Sequence, residues 1–228
     1  MEGNAAPSRT RAHSTVLVTG AAGFFGSHIA AKFLGAGIHV VVFDKLNAET
    51  TSADEKEGNL RILQEVADRN GARLSVFRGD VLDAVAIRRM LDETAPTACV
   101  HTASMVDDRR SVSHPTEYIT VNVIGTQTLL QTIAEHGSVK QFVYISTRST
   151  FGQVDSPGRL MTEEAPKRPI NPYGASKLMT ETMLRDCAAA YPFNYGALRY
   201  FNVAGADPQG RSGQSTRGAT HLIKVACE

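Results

Sequence analysis

No stretch of this chain approaches the ~18 consecutive apolar residues that a membrane-spanning helix requires. Its opening segment, Met1 to His13, also lacks the apolar middle of a secretory signal. The expected address is therefore the cytoplasm, with no membrane partner. An excess of one charge is missing as well: 24 Lys+Arg against 23 Asp+Glu leave a formal net charge of +1, and there is no long basic run. That balance argues against a nucleic-acid partner, so any anion has to be met locally. Cysteine is scarce. Cys99, Cys187 and Cys227 lie far apart, without a Cys-x-x-Cys pair, in apolar or helical contexts that suit small buried side chains, and are expected to be reduced and structural. The seven histidines show no ligand spacing, so no metal site is expected. Internal repeats and low-complexity tracts are absent too.

What is present is a chain of 228 residues, 42% hydrophobic and 21% charged, long enough for one sizeable core. It is organised around Val16-Leu-Val-Thr-Gly20-Ala-Ala-Gly23-Phe-Phe-Gly26. A β-branched run of strand length meets three glycines, and Phe24, Phe25, Ile29, Phe33 and Leu34 then follow at helical spacing, so the segment reads strand, tight turn, helix. Gly20 permits the turn, Gly23 removes a Cβ that would block a pyrophosphate, and Gly26 lets the helix pack close on the strand. Phosphates would sit at the helix N-terminus, where unpaired N–H groups and the helix dipole favour anions. The spacing is GxxGxxG rather than GxGxxG. A second strand, Ile38 to Phe43, ends in Asp44, 18 residues beyond Gly26, where a carboxylate binds the adenine-ribose hydroxyls of NAD. Asp44 would repel a ribose 2′-phosphate, while Lys45 beside it works against that preference.

Taken in order, residues 1 to 13 read as a mobile tail and the fold begins near Ser14. A polar loop from Lys45 to Gly58 precedes a helix carrying Leu60, Leu63, Val66 and Ala67, which stops at Asn70-Gly71. Strand three is Arg73 to Phe77. Asp80 after it is either an N-cap or turn acid, or an acceptor for the adenine amino group. Strand four, Ala98 to His101, ends in a histidine that reads as a hydrogen-bonded core residue. Asp107 to Val112 reads as a solvated charged loop. Pro115 opens a long helix with Asn122 inside it; an asparagine there costs propensity, which points to a structural or cofactor-side hydrogen bond. Strand five, Gln141 to Ile145, delivers Ser146 and Thr147. A loop from 152 to 172 leads to the helix beginning Pro172-Tyr173, and Tyr195 to Phe201 forms strand six. A glycine-rich loop, Asn202 to Gly218, precedes a last short helix. Strands alternating with helices imply an α/β doubly wound parallel sheet whose ligands gather at the carboxyl ends of the strands.

Tyr173 and Lys177 are four apart, so on a helix they share a face. A free phenol has a pKa near ~10, and a neighbouring ammonium together with a positively charged nicotinamide would bring it down. Tyr173 is then suited to take a proton from a sugar or alcohol hydroxyl, with Thr147 holding the same oxygen.

These segments carry a resemblance. Thr19-Gly20-Ala-Ala-Gly23-Phe-Phe-Gly26, Asn122 with Gly125-Thr126, Tyr144-Ile-Ser-Thr147-Arg-Ser-Thr-Phe-Gly152, Asn171-Pro-Tyr173-Gly-Ala-Ser-Lys177 and Leu198-Arg-Tyr-Phe-Asn202-Val-Ala-Gly205-Ala resemble the extended short-chain dehydrogenase/reductase family. Within it the chain is most similar to the NAD-dependent sugar epimerase/dehydratase group, particularly UDP-glucose or uronate 4-epimerases. The resemblance implies a Rossmann sheet and NAD held by Gly20, Gly23, Phe24, Phe25, Gly26, Asp44, Lys45, Asp80, Val81, Thr102, Ala103, Ser104, Asn122, Ser146, Tyr173, Lys177 and Tyr200. It implies a catalytic set of Thr147, Tyr173 and Lys177, and substrate contacts from Thr147, Asn202, His221 and Leu222. The substrate implied is a nucleotide sugar, UDP-linked. Transient oxidation at sugar C4 and hydride return to the other face leave net redox at zero.

Dehydratases read Thr-Asp-Glu where this chain has Thr147-Arg148-Ser149, and decarboxylating relatives place a glutamate at Ser149, so both are disfavoured. Val106 stands where the galactose epimerases have a lysine, and Arg148 replaces a small residue, which keeps uronate epimerases and related reductases open. Family members continue for roughly another hundred residues. Residues 14 to 228 are therefore expected to form the NAD-binding domain and the start of a truncated substrate-binding region, with the C-terminal substrate domain largely missing. An NAD(H)-dependent dehydrogenase with net redox and a catalytically idle NAD-binding module remain the alternatives. The helices at 114 to 134 and 173 to 190 offer a homodimer interface, although packing on the sheet explains their apolar stripes equally.

Overall fold

The computed structural model describes residues 14–47, 51–153, 161–214 and 222–227. The expected tail at residues 1–13, part of each long loop, and the substrate candidate His221 lie outside these described residues. Six strands build one sheet in the order β3-β2-β1-β4-β5-β6: β1 (Thr15–Thr19), β2 (His39–Asp44), β3 (Leu74–Arg78), β4 (Ala98–His101), β5 (Gln141–Thr147) and β6 (Asn194–Tyr200). All five pairings are parallel. β1 and β4 are adjacent, so the strand order reverses between them, which opens a crevice above their carboxyl ends.

The period of two along the strands sorts the core into two layers. Leu17, Val41, Cys99 and Phe142 point one way, into a cluster with Ile87, Met90, Leu129, Leu130, Ile133 and Leu184. These come from α3 (Ala84–Thr94), α6 (Thr126–His136) and α7 (Pro172–Ala190). Val16, Val18, Val40 and Val42 point the other way, onto Ala30 and Leu34 of α1 (Phe24–Gly35) and Leu63 and Ala67 of α2 (Ala53–Asn70). Both faces of the central strands are covered, which is why these strands read as nearly unbroken apolar runs.

Several expected boundaries shift. α2 begins at Ala53 rather than near Leu60, because Ser52 and Glu55 form a capping box: the Ser52 side chain accepts from the Glu55 N–H and the Glu55 carboxylate accepts from the Ser52 N–H. The polar composition of its first two turns disguised them as loop. Its end at Gly71, in the left-handed conformation at φ 60°, falls where the Asn-Gly signal puts it. Asp107 to Val112 is not a loop. Asp107 caps a short helix, α4 (Asp108–Ser113), by accepting from the Arg109 and Arg110 N–H groups. The helix expected from Pro115 is interrupted: α5 (Pro115–Tyr118) passes into a π-helical segment, Ile119–Gly125, and then into α6. The last short helix is α8 (Leu222–Cys227). Cys99 is buried and Cys187 half-buried, but Cys227 is exposed, since α8 leaves it outside the core.

Candidate active site

The site begins at the turn after β1. Gly20 has φ +70°, and a Cβ on it would meet the Ala103 backbone at 2.8 Å. A Cβ on Gly26 would meet the Ala21 Cα at 2.8 Å, so that glycine does let α1 press against the turn. Gly23 is the N-cap of α1 and provides no side-chain cap, and no acidic residue occupies the first turn. The helix N-terminus is thus left as a positive, donor-rich end beside a close-packed turn. Phe24 and Phe25 start the helix, and Phe25 meets Tyr200 of β6 edge to face at 5.2 Å.

Asp44, at the end of β2, is 5% exposed and bonded to that turn: one oxygen accepts from the Ala22 N–H at 3.1 Å, the other from the Leu46 N–H at 2.8 Å. The second oxygen also pairs with Lys56 of α2 at 2.9 Å, and Asn59 of α2 donates to the Ala22 carbonyl at 2.8 Å. An ionised carboxylate offers roughly four acceptor sites, which leaves room for a ribose hydroxyl. Lys56 and Asn59 were not singled out in the sequence. Only the two extra turns of α2 bring them here, and no local signal announces them. Lys45 is turned to Asp80, with an ion pair of 3.1 Å, and Asp80 also accepts from the Leu82 N–H at 3.0 Å. Asp80 thus makes the turn contact that its position implied. Val81 is buried and meets the place a Cβ on Gly125 would fill, at 2.7 Å.

Below the switch point, β4 ends in a neutral core histidine, as its apolar strand implies. His101 bonds Thr19 at 2.7 Å and Thr126 at 2.9 Å. Thr126 donates its own proton to the Asn122 carbonyl at 2.7 Å, so the His101 Nε2–H donates to Thr126 and Nδ1 accepts from Thr19. Burial, reinforced by the charge of Lys177, lowers the His101 pKa to about 3. Thr102, Ala103 and Ser104 follow half-exposed, with Thr102 donating to the Thr19 carbonyl at 2.6 Å and the Ala103 N–H to the Thr19 hydroxyl. Asn122 is buried in the π-helical segment, and its amide joins two elements: Oδ1 accepts from the Met105 N–H at 2.8 Å, and Nδ2 donates to the Met105 carbonyl and to Ser176, both at 3.0 Å. The structural hydrogen bonds that its position implied are present.

Asn171 caps α7 by accepting from the Gly174 N–H at 2.7 Å, with Pro172 at the first helical position. That start sets Tyr173 and Lys177 on the face toward β5, both buried, with Thr147 at the end of that strand. The Lys177 Nζ donates to the Ile145 carbonyl at 2.9 Å and lies 4.9 Å above the Tyr144 ring centroid and 5.9 Å from that of Tyr173. Burial pushes the Tyr173 phenol up to about 12, against the opposing pull of a hydrogen bond with Thr147. The desolvation of this buried ring outweighs the favourable contact with Thr147. Burial also lowers Lys177 to about 7, with the Glu181 carboxylate opposing.

Glu181 and Arg199 were missed in the sequence, although Glu181 continues the spacing of four from Tyr173 and Lys177, and Arg199 lies inside the Leu198–Asn202 motif. Ser146 donates to Glu181 at 2.5 Å and Arg199 grips it with two nitrogens. The remaining substrate candidates stand apart: Asn202 is exposed just past β6, and Leu222 on α8 is 81% exposed.

The chain matches the NAD dependent epimerase/dehydratase family over residues 16–227. It is 40% identical to the UDP-glucose 4-epimerase of Azospirillum brasilense over 220 residues, which covers 96% of this chain and 58% of that protein. UDP-arabinose 4-epimerase 1 of Arabidopsis thaliana is 38% identical, with 89% and 46% covered. Among solved structures, the UDP-glucose 4-epimerase of Brucella ovis in complex with NAD superposes with a TM-score of 0.79 at 36% identity, over 93% of this chain and 59% of the other. The UDP-glucuronic acid 4-epimerase of Bacillus cereus in complex with NAD gives 0.71 at 30%, over 84% and 58%. The chain thus spans about half to three-fifths of the length of these relatives.

Proposed function

The chain belongs to the NAD dependent epimerase/dehydratase family, and from that membership we propose that it is an NAD-dependent nucleotide-sugar 4-epimerase acting on a UDP-linked sugar. The observation that carries the reading is the convergence of Thr147, Tyr173 and Lys177 at the carboxyl end of β5, on the same sheet edge as the turn at Gly20 and Gly26. That turn fits a dinucleotide: Gly20 and Gly26 have no room for a Cβ, and the N-terminus of α1 lacks a side-chain cap. Gly20, Gly23 and Gly26 would hold the pyrophosphate and Asp44 the ribose hydroxyls, with Lys177 reaching the nicotinamide ribose. When bound, NAD supplies the acceptor and donor of hydride at sugar C4. Tyr173 is placed to take the proton of the 4-hydroxyl and to return it to the 4-keto group, while the Thr147 hydroxyl fixes that oxygen. Lys177 lies 5.9 Å from the Tyr173 ring centroid, and its ammonium together with the positive charge of a bound nicotinamide would favour the phenolate in this role.

NAD is preferred over NADP in this reading because Asp44 is ionically fixed at the end of β2. The domain runs from about residue 14, and Asn202 and the residues after it serve the nucleotide-sugar side. The helix pair around α6 and α7 is the proposed homodimer contact, supported by Ile124 and Met179, which are exposed on it. The proposed location is the cytoplasm.

The test is incubation with UDP-glucose, UDP-galactose and UDP-glucuronate while following product sugar and free NADH. Epimer without net NADH is the expected result, and a net change in NADH would overturn the reading. Tyr173→Phe is expected to abolish turnover and to leave NAD binding intact; turnover that survives would remove Tyr173 from the catalytic set.

A further inference from the structure

The buried face of α2 carries Lys56, Asn59, Leu63 and Ala67 at helical spacing. Leu63 and Ala67 pack with Val40 and Val42 of β2, but the first two positions are polar and reach the end of β2 and the turn after β1. Lys56 is 7% exposed, and its ammonium meets Oδ1 of Asp44 at 2.9 Å. A buried ion pair contributes little net stability, because desolvation of both charges offsets most of their attraction; what this pair fixes is a geometry. The Leu46 N–H donates to the same oxygen at 2.8 Å, so Oδ1 already receives two donors, about as many as a carboxylate oxygen takes. Oδ2 receives one among the described residues, the Ala22 N–H at 3.1 Å. Ala22 is itself held from α2, since the Asn59 amide donates to its carbonyl at 2.8 Å. The two polar residues of α2 thus set both ends of one unit, the carboxylate and the glycine turn. Among the described residues that leaves a single acceptor position, on the oxygen bonded to the turn.

We infer that Lys56 is a positioning residue for the choice of cofactor: by holding Oδ1 of Asp44 it aims Oδ2 as the acceptor for one hydroxyl of the adenosine ribose. The inference rests on the reading of Asp44 as the ribose acceptor, and not on the reaction at Tyr173. An ionised carboxylate only accepts, so a ribose hydroxyl at Oδ2 adds a hydrogen bond, whereas a 2′-phosphate brings a charge of the same sign. Without Lys56 the carboxylate is held by the Ala22 and Leu46 N–H groups and can turn away, which gives up the hydroxyl and makes room for a phosphate. A through-space effect of the Lys56 charge alone has the opposite sign. NADP is the more negative ligand, so removal of a nearby cation would weaken it more than NAD. The sign of the change in cofactor preference therefore separates positioning from charge. Lys45, another cation at this place, is turned to Asp80 at 3.1 Å, and Arg78, opposite Asp44 on β3, is exposed.

The measurement is a calorimetric titration of the nucleotide-free chain with NAD and with NADP. In Lys56→Met the affinity for NAD is expected to fall roughly tenfold, the worth of a hydrogen bond to a charged group, and that for NADP much less, so that the preference for NAD narrows. Lys56→Arg, which keeps a cation on Oδ1, is expected to restore part of the preference. An unchanged or wider preference in folded Lys56→Met, with only a lower melting temperature, would overturn the inference and leave the pair a structural tie. Asp44→Asn separates the two levels. Loss of the preference in Asp44→Asn but not in Lys56→Met removes Lys56 alone, whereas no change in Asp44→Asn removes Asp44 as the ribose acceptor and the role of Lys56 with it. Should Lys56→Met fail to fold, the unaltered chain carries the test, with NAD made 2′-deoxy or 3′-deoxy in the adenosine ribose. One open acceptor position predicts about tenfold weaker binding for one of these and little change for the other. Equal losses of that size for both would place two hydroxyls on Asp44 and overturn the inference.

Discussion

At the scale of single residues, the site depends on places where one particular atom cannot be added or one proton cannot be gained. Gly26 is the first kind: its missing Cβ is what lets α1 approach Ala21. Gly26→Ala is expected to cost about 1–3 kcal/mol through overpacking and to weaken NAD binding, as read by urea unfolding and cofactor titration. His101 is the second kind. Its imidazole is held neutral between Thr19 and Thr126, with a pKa lowered from 6.5 to about 3, whereas in the unfolded chain it protonates near 6.5. Below pH 6.5 the unfolded state therefore binds more protons, so this contribution to stability is complete above that value and is lost as pH falls toward 3. The unfolding free energy measured in urea is expected to drop across that window by an amount on the order of a few kcal/mol, and His101→Gln to flatten the drop. The sequence shows both residues as types and places. It does not show that Tyr173 rises to about 12, because burial is a property of the packed helix and not of the Tyr-x-x-x-Lys spacing.

At the scale of elements, α2 shows where local reading runs out. Its first two turns are polar, and the residues that matter there, Lys56 and Asn59, face the glycine turn. The capping box at Ser52 and Glu55 is a signal written in the sequence, and it sets the helix start at Ala53 rather than near Leu60. Ser52→Ala is expected to cost about 1 kcal/mol of stability and to weaken NAD binding by loosening Lys56 from Asp44, measured by thermal unfolding and cofactor titration. The π-helical segment is a second case. Asn122 inside an otherwise good helix signals a special hydrogen bond, but that its amide joins Met105 to Ser176, and that its carbonyl accepts from Thr180, follows only from the packing of the segment after β4 and of α7 around it.

At the scale of the whole molecule, the order β3-β2-β1-β4-β5-β6 brings the carboxyl ends of six parallel strands to one edge. If NAD binds there, it stabilises the folded chain by about 2.7 kcal/mol at a concentration one hundred times its dissociation constant, so the melting temperature is expected to rise with NAD and much less with NADP. Equal shifts with both cofactors would remove Asp44 as the discriminating residue. By itself the sequence determined the alternation of strands and helices, the glycine turn, the acid at the end of β2 and the Tyr173–Lys177 pair, because each is written in spacing along a few residues. The tertiary structure alone decided which charges meet: Lys56 with Asp44, Lys45 with Asp80, and Arg199 with Glu181. Partners 12, 35 and 18 residues apart in the chain, with their burial, are fixed only when helices from different segments close over one sheet.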